Sequence, residues 1–259
     1  MLNVVALSAF HDNYIWLIYN DATHECAVVD PGDAVPVLEW LHKNPTFSLS
    51  YILITHHHND HTGGVNILKQ KTQAIVFGPE LECTGLADYS LKEGCSFNCL
   101  GYTWQAIHTP GHTRGHIVFI NNETQPPMLF SGDTLFSAGC GRLFEGSAEQ
   151  MLLSLKKIKK LNQDTLIYPA HEYTLCNLKF ALVVEPSNHN IVESQRAAEQ
   201  KRLRGEPTLP STLRHELAIN PFLRTEHPSI QYALENHTKH RLTDEIERFA
   251  ALRAWKNTF

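Results

Sequence analysis

Residues 55–64 read THHHNDHTGG, and the meaning of this stretch decides the fold. Four histidines and an aspartate fall within residues 56–61, with Gly63 and Gly64 just behind them. The apolar run YILIT (51–55) leads straight into the cluster and reads as a strand. In extended backbone alternate side chains share a face, so His56 and His58 reach one ion while His57 points the other way. Asp60 and His61 follow at a turn that the two glycines permit. A solvated histidine-rich loop is the ordinary alternative, and His-x-His-x-Asp-His spacing after a strand is too specific for it. Only His57 is left to that role.

Three more donors stand at the ends of expected strands. His112 lies in TPGHT after YTWQAIH, Asp133 in FSGDTLF after MLF, and His171 in YPAHEY after TLIYP. Strand ends that meet on one sheet edge are where an α/β fold builds sites. His56, His58, Asp60, His61, His112, Asp133 and His171 together make a two-metal set, with a carboxylate such as Asp133 the natural bridge. Imidazole and carboxylate donors suit two divalent ions, zinc first, with iron or manganese also accommodated.

Outward from the cluster, the first two thirds of the chain read as short strands with few helices. LNVVAL, NYIWLIY and ECAVVD are apolar or alternating runs bounded by Asp, Asn and Gly. Further strands are expected near 74–77, 102–108, 116–120, 128–131 and 164–170. Helices are expected over 34–44, stopping before Pro45, over 65–71, and from a Ser147 cap through Lys160. Beyond Tyr173 the pattern turns helical: LCNLKFALVVE, HNIVESQRAAEQKRLRG, HPSIQYALENH and TDEIERFAALRAWK, with EPTLPST (206–212) as an irregular link. The expected organisation is a mixed α/β domain over 1–173 and an all-helical segment over 174–259.

Composition narrows the class. The 259 residues are 42% apolar and 19% charged, ordinary values for a water-soluble chain. No apolar run approaches the roughly 20 residues that span a bilayer. The N-terminal MLNVVALSAFHDNYIW lacks a positive n-region and a small-residue cleavage site, so the expectation is a cytoplasmic protein with no membrane partner. The six cysteines form no Cys-x-x-Cys pair and read as reduced and buried. A net charge of −5 argues against nucleic acid. Residues 174–259 carry 12 Lys/Arg against 10 Asp/Glu, leaving 10 against 17 for residues 1–173, a mildly basic tail that helps attract a small anion. No oligomer signal is visible, and a monomer is the default.

At this point the donors resemble the metal motifs of the metallo-β-lactamase superfamily, and Asp30 in VVDPG matches its early structural aspartate. That resemblance covers residues 1–173 and implies an α/β fold, a four-layer αββα sandwich followed here by the small all-helical C-terminal domain. A finer resemblance is to the glyoxalase II family, the hydroxyacylglutathione hydrolases. It is carried by DNYIW (12–16), AGCGRLFEG (138–146), PAHEYTLCNLKFA (169–181) and the tail ending in Arg253-x-x-Lys256. The resemblance implies one metal on His56, His58 and His112, the other on Asp60, His61 and His171, and Asp133 bridging, with Asp60 and Asp133 nearest the chemistry. It also implies that Arg142, Phe144, Tyr173, Arg253 and Lys256 hold glutathione. Some members carry tyrosine in place of Phe144 and lysine in place of Arg142, and His116 matches a family histidine that is not a ligand.

The implied reaction is hydrolysis of S-(2-hydroxyacyl)glutathione, S-D-lactoylglutathione above all, to glutathione and D-lactate, the second step of methylglyoxal detoxification. A metal-held hydroxide would be the nucleophile, and a thiol of pKa about 8.5 leaves with little acid assistance. Three readings compete. A glutathione persulfide dioxygenase of the same fold would use fewer ligands and a shorter tail. An RNA-processing nuclease would need a basic surface that this chain lacks. A non-catalytic scaffold would not leave two open metal positions.

Overall fold

The computed structural model describes residues 1–259, and alternation in its strands explains its layers. One six-stranded sheet runs in the order β1 (Leu2–Ala9), β2 (Asn13–Asn20), β3 (Glu25–Val29), β4 (Ser48–Leu53), β5 (Ile75–Pro79), β6 (Tyr89–Leu91). β2 is almost wholly buried because both of its faces are covered. Tyr14, Trp16 and Ile18 face the second sheet, while Ile15 and Leu17 face α1 (Val35–Lys43) and, beyond the short α2 (Asn59–Thr62), α3 (Val65–Thr72) on the outside. β3, β4 and β5 are parallel, so their carboxyl ends share one edge.

The second sheet contains β7 (Ser96–Cys99), β8 (Tyr102–His108), β9 (Ile117–Asn121) and β10 (Met128–Gly132). After β10 come a small hairpin, β11 (Leu135–Phe136) and β12 (Gly139–Cys140), then α4 (Ala148–Lys159) and β13 (Leu166–Pro169). The chain continues through α5 (Thr174–Val184), α6 (His189–Leu203), β14 (Ser211–Thr212), α7 (Leu213–Ile219), α8 (Pro228–Thr238) and α9 (Glu245–Thr258). The sheet order is β14-β13-β10-β9-β8-β7. Alternation again divides the strands. Ile117, Phe119, Met128 and Phe130 turn inward, and Val118, Ile120 and Leu129 turn outward onto α4 and α9. Each such fully buried apolar side chain contributes roughly 1.5–3 kcal/mol. Trp16 also meets its polar need there, its Nε1 donating to the Pro169 carbonyl at 2.8 Å.

Helices outside each of two facing sheets make the four-layer αββα sandwich of the α/β class. Ser147 caps α4 as expected, in a reciprocal capping box with Gln150. Differences from the sequence reading fall where segments are short. β4 stops at Leu53 and not at Thr55, because the Thr55 amide donates to Asp30 Oδ1 and its carbonyl accepts from Ile117. β6, β7 and α7 went unrecognised. The EPTLPST link ends in β14, so the largely helical tail supplies one edge strand to the second sheet. No helix is long and apolar enough to cross a membrane.

Candidate metal centre

Asp30 follows β3, the histidine cluster follows β4, Asp133 follows β10 and His171 follows β13. The loop from β8 to β9 brings His112 to the same edge. The two sheets are joined there by Ile117 N–H donating to the Thr55 carbonyl at 2.9 Å and Tyr14 N–H to the Ala170 carbonyl at 2.7 Å. All seven donors named from the sequence are brought together.

They form two triplets. His58 Nδ1 lies 3.0 Å from His56 Nε2 and 3.1 Å from His112 Nε2. In the other triplet, Asp60 Oδ2 lies 3.3 Å from His61 Nε2 and 3.5 Å from His171 Nε2. Donor atoms in each triplet lie within 4.8 Å of one another. Asp133 stands between, with Oδ2 3.3 Å from His112 Nε2, and Oδ1 3.4 Å from His171 Nε2 and 3.6 Å from His61 Nε2.

The outer nitrogens are already committed. His61 Nδ1 meets Asp30 Oδ2 at 3.1 Å, His171 Nδ1 meets Asp12 Oδ1 at 2.8 Å, and His112 Nδ1 donates to the Arg142 carbonyl at 2.9 Å. His56 Nδ1 pairs with Thr55 Oγ1 at 3.0 Å. Each of these rings is thereby fixed with Nε2 facing inward, the arrangement a metal ligand requires. His61 Nε2 and Asp133 Oδ1 are buried without any hydrogen-bond partner. Two orphaned polar atoms aimed at one another across a histidine cluster are what cations would satisfy, so these residues fit divalent metal ions.

The electrostatics agree. Burial alone would raise the Asp133 carboxyl, but His61 and His171 overcome it and hold it far below the usual carboxylate range. Burial likewise opposes ionisation of Asp60, and the bond and charge of His61, with Asn13 assisting, reverse the balance. Both carboxylates therefore stay anionic.

His57 points away and meets Glu145 Oε1 at 2.7 Å, as its parity required. His116 is stacked on His56 at 4.8 Å, but its Nε2 accepts the Asp133 amide at 3.1 Å and is not free for a metal. Sequence reasoning missed two partners within DNYIW. Asp12 orients His171, and Asn13 Nδ2 donates to Asp60 Oδ2 at 3.0 Å. As residues they looked like an ordinary polar turn between two strands.

Asp133 and His112 also form part of the wall of a cavity of about 430 Å³, which Arg142, Phe144, Tyr173, Arg253 and Lys256 line as well. Asp133 is the only acidic side chain in that lining. Phe144 is 62% exposed and presents its ring edge-to-face to His58 and His112 at 5.6 and 5.2 Å. Tyr173 stacks flat on His171 at 4.7 Å, and burial, then Asp12, push its hydroxyl far up, so it remains a donor. Arg253 is only 5% exposed, anchored by Nη1 to the Cys140 carbonyl at 2.8 Å and Nε to Asn257 Oδ1 at 3.1 Å. Cys176, expected to be buried, is exposed in this cavity, 3.5 Å from Lys256 Nζ.

The fold and the two triplets define a divalent-metal protein of the metallo-beta-lactamase superfamily, whose family model matches residues 10–94 and 96–171. A second model, the hydroxyacylglutathione hydrolase C-terminus, matches residues 172–259. The chain is 50% identical over 261 aligned positions to the hydroxyacylglutathione hydrolase of Pseudomonas putida (strain F1), and 51% identical to that of Pseudomonas savastanoi pv. phaseolicola. Both alignments cover 100% of this chain and of the relative. The chain belongs to the hydroxyacylglutathione hydrolase family. Among solved structures it is similar to ETHE1 from Myxococcus xanthus (TM-score 0.65, 22% identity, 100% of this chain and 99% of that one), a likeness of fold. It is also similar to a chain solved in a di-iron-bound form (TM-score 0.58, 25% identity, 85% of this chain and 100% of that one).

Proposed function

We propose that this chain hydrolyses S-(2-hydroxyacyl)glutathione, with S-D-lactoylglutathione as its principal substrate, to glutathione and a 2-hydroxy acid. The observation that carries the reading is one cavity holding the Asp133–His112 edge of the metal centre beside three cationic side chains. Glutathione has two carboxylates and one ammonium at neutral pH. Arg142, Arg253 and Lys256 supply the complementary charge, and the Tyr173 hydroxyl supplies a donor.

In this reading His56, His58 and His112 hold one ion, Asp60, His61 and His171 hold the other, and Asp133 serves both. Zinc is the proposed occupant, and the di-iron form of a structural relative supports iron as a second. When bound, the ions lower the pKa of a water from 15.7 to about 7 and polarise the thioester carbonyl. The chain's own residues do the remainder. Asp60, fixed by Asn13 with its side chain 41% exposed, would orient the attacking hydroxide. The cations and Tyr173 hold the glutathione arm so that its thioester lies against Asp133. Phe144 excludes water from one side of that position. The departing thiolate, of pKa about 8.5, needs no dedicated acid. We assign the metal chemistry to residues 1–173, with Arg142, Phe144 and Tyr173 of the glutathione grip, and the Arg253 and Lys256 part of that grip to residues 174–259.

The test is thiol release from S-D-lactoylglutathione by the purified chain, by a chelator-stripped sample, and by that sample reloaded with zinc. Turnover lost on stripping and restored on reloading supports the reading. Full metal content with no thiol release refutes the substrate assignment.

A further inference from the structure

Behind the wall of the substrate cavity lies a second cavity of about 310 Å³, between α5, α6, α7 and β14. No residue of the metal centre or of the expected glutathione grip lines it. It has no Asp or Glu in its lining, and it carries Lys201 and His215 with the hydroxyls of Ser137, Thr174, Ser194 and Ser211. Ser137 is only 5% exposed and faces this space, its carbonyl taken by Asn177 while its hydroxyl has no partner within the chain. Ser211 Oγ is buried without a partner as well. The Lys201 ammonium makes no ion pair, although four other lysines of the chain do.

Buried hydroxyls are nearly always paired, and the Ser137 hydroxyl, on a residue only 5% exposed, is left to the space of this cavity. A cavity of this volume also falls at the lower end of the range that holds small organic ligands. We propose that it binds a small hydroxylated anion of the sugar-phosphate class. Lys201 would take the anionic group beside His215, whose Nε2 meets Ser194 Oγ at 3.2 Å, and the Ser137 hydroxyl would exchange a hydrogen bond with a hydroxyl of the ligand. The apolar floor of Leu178 and Ile219 suits the carbon skeleton between them. At two places consecutive residues line the two cavities. Phe136 lines the substrate cavity and Ser137 this one, and Tyr173 and Thr174 divide in the same way.

Titration calorimetry of the metal-loaded full chain tests the proposal without relying on thioester hydrolysis. The probes are glucose 6-phosphate, inorganic phosphate and glucose. Glucose 6-phosphate is expected to bind saturably and more tightly than either fragment. Loss of the charge-assisted contact in Lys201→Glu should raise its Kd about tenfold or more, and Ser137→Ala should raise it several-fold. Matching melting temperatures would show that the variants fold. Lys256→Ala and saturating glutathione should leave the Kd within about twofold. No binding, binding undiminished in Lys201→Glu, displacement by glutathione, or inorganic phosphate binding as tightly as glucose 6-phosphate would each overturn it.

Discussion

Replacing Asp30 by Asn should weaken the fold and the metal centre together. Asp30 is buried, and its two oxygens receive three donors: Thr55 N–H at 2.8 Å, Thr55 Oγ1 at 2.7 Å and His61 Nδ1 at 3.1 Å. Through Thr55 Oγ1 the same carboxylate also orders His56 Nδ1 at 3.0 Å. One aspartate therefore fixes the tautomer of a ligand in each triplet without touching either metal position. Its φ of 52° is left-handed, a conformation that Asn adopts as readily, so the backbone survives the exchange. An amide nitrogen at Oδ2 sets a donor against the Thr55 hydroxyl and the His61 ring. Each mismatch costs about 1–3 kcal/mol, and hydroxyl rotation recovers part, so the net loss is about 2–4 kcal/mol. For a chain of this size that lowers the melting temperature by roughly 5–15 °C. The His61 proton would also move to Nε2, where a ligand must be bare, weakening the metal about 10–100-fold. The assay is urea unfolding of the metal-stripped proteins, followed by zinc titration against a chromophoric chelator. An unchanged midpoint with two ions bound at unaltered affinity would refute the reasoning.

Four further outcomes are expected. Gly141→Ala places a Cβ 2.0 Å from the Asp133 carbonyl oxygen, so Asp133 must move; a shift of that size should cost about 100-fold in activity, and near-native turnover would refute the close approach. Arg253→Lys keeps the charge but loses the fork that grips Cys140 and Asn257, and KM should rise about tenfold, as initial rates would show; an unchanged KM would refute the grip. Phe144→Tyr restores a hydroxyl at the cavity mouth and should lower KM roughly two- to tenfold, the worth of one hydrogen bond; an unchanged KM would place that hydroxyl in solvent. Burial opposes protonation of His61 and His171, but Asp133 outweighs it and raises both, so the metal-free site holds protons at pH 7. Zinc binding should then release protons, and calorimetry in buffers of different ionisation enthalpy showing none would contradict this.

How much of this was legible depended on whether the information is local. NYIWLIY and ECAVV announced strands because a strand covered on both faces must be apolar throughout. The seven donors stood out because each follows a strand whose carboxyl end lies at one edge. β6, with only Leu91 buried, carries no such signature, since its place is set by pairing with β5 across a loop and not by its own pattern. Asp12 and Asn13 were invisible for the same reason: their partners His171 and Asp60 lie 159 and 47 positions away. The second cavity is harder still to foresee, because its serines are individually commonplace and become unusual only when folding leaves their hydroxyls unpaired.

The hairpin Leu135–Cys140 shows why a largely helical tail belongs to a metal enzyme. Two strands of two residues cannot hold themselves, and the Ala138 turn has a positive φ of 54°. Its backbone is instead gripped by four side chains of the tail. Glu216 accepts the Ala138 amide at 2.8 Å, and Asn220 donates to the Phe136 and Gly139 carbonyls at 3.1 and 3.0 Å. Asn177 donates to the Ser137 carbonyl at 3.0 Å and Arg253 to that of Cys140 at 2.8 Å. Asp133 stands two residues before this hairpin, and Gly141 packs against its carbonyl just after it. The tail thus fixes the carboxylate between the two triplets through the backbone, and one of the four gripping residues, Arg253, is also a proposed substrate cation. Asn220→Ala, at a residue that lines neither cavity, removes the donor to two carbonyls and should lower metal occupancy at Asp133 before it unfolds the chain. Metal content measured below the unfolding transition decides this. If the variant stays fully loaded until it melts, the hairpin holds itself and the tail serves substrate alone.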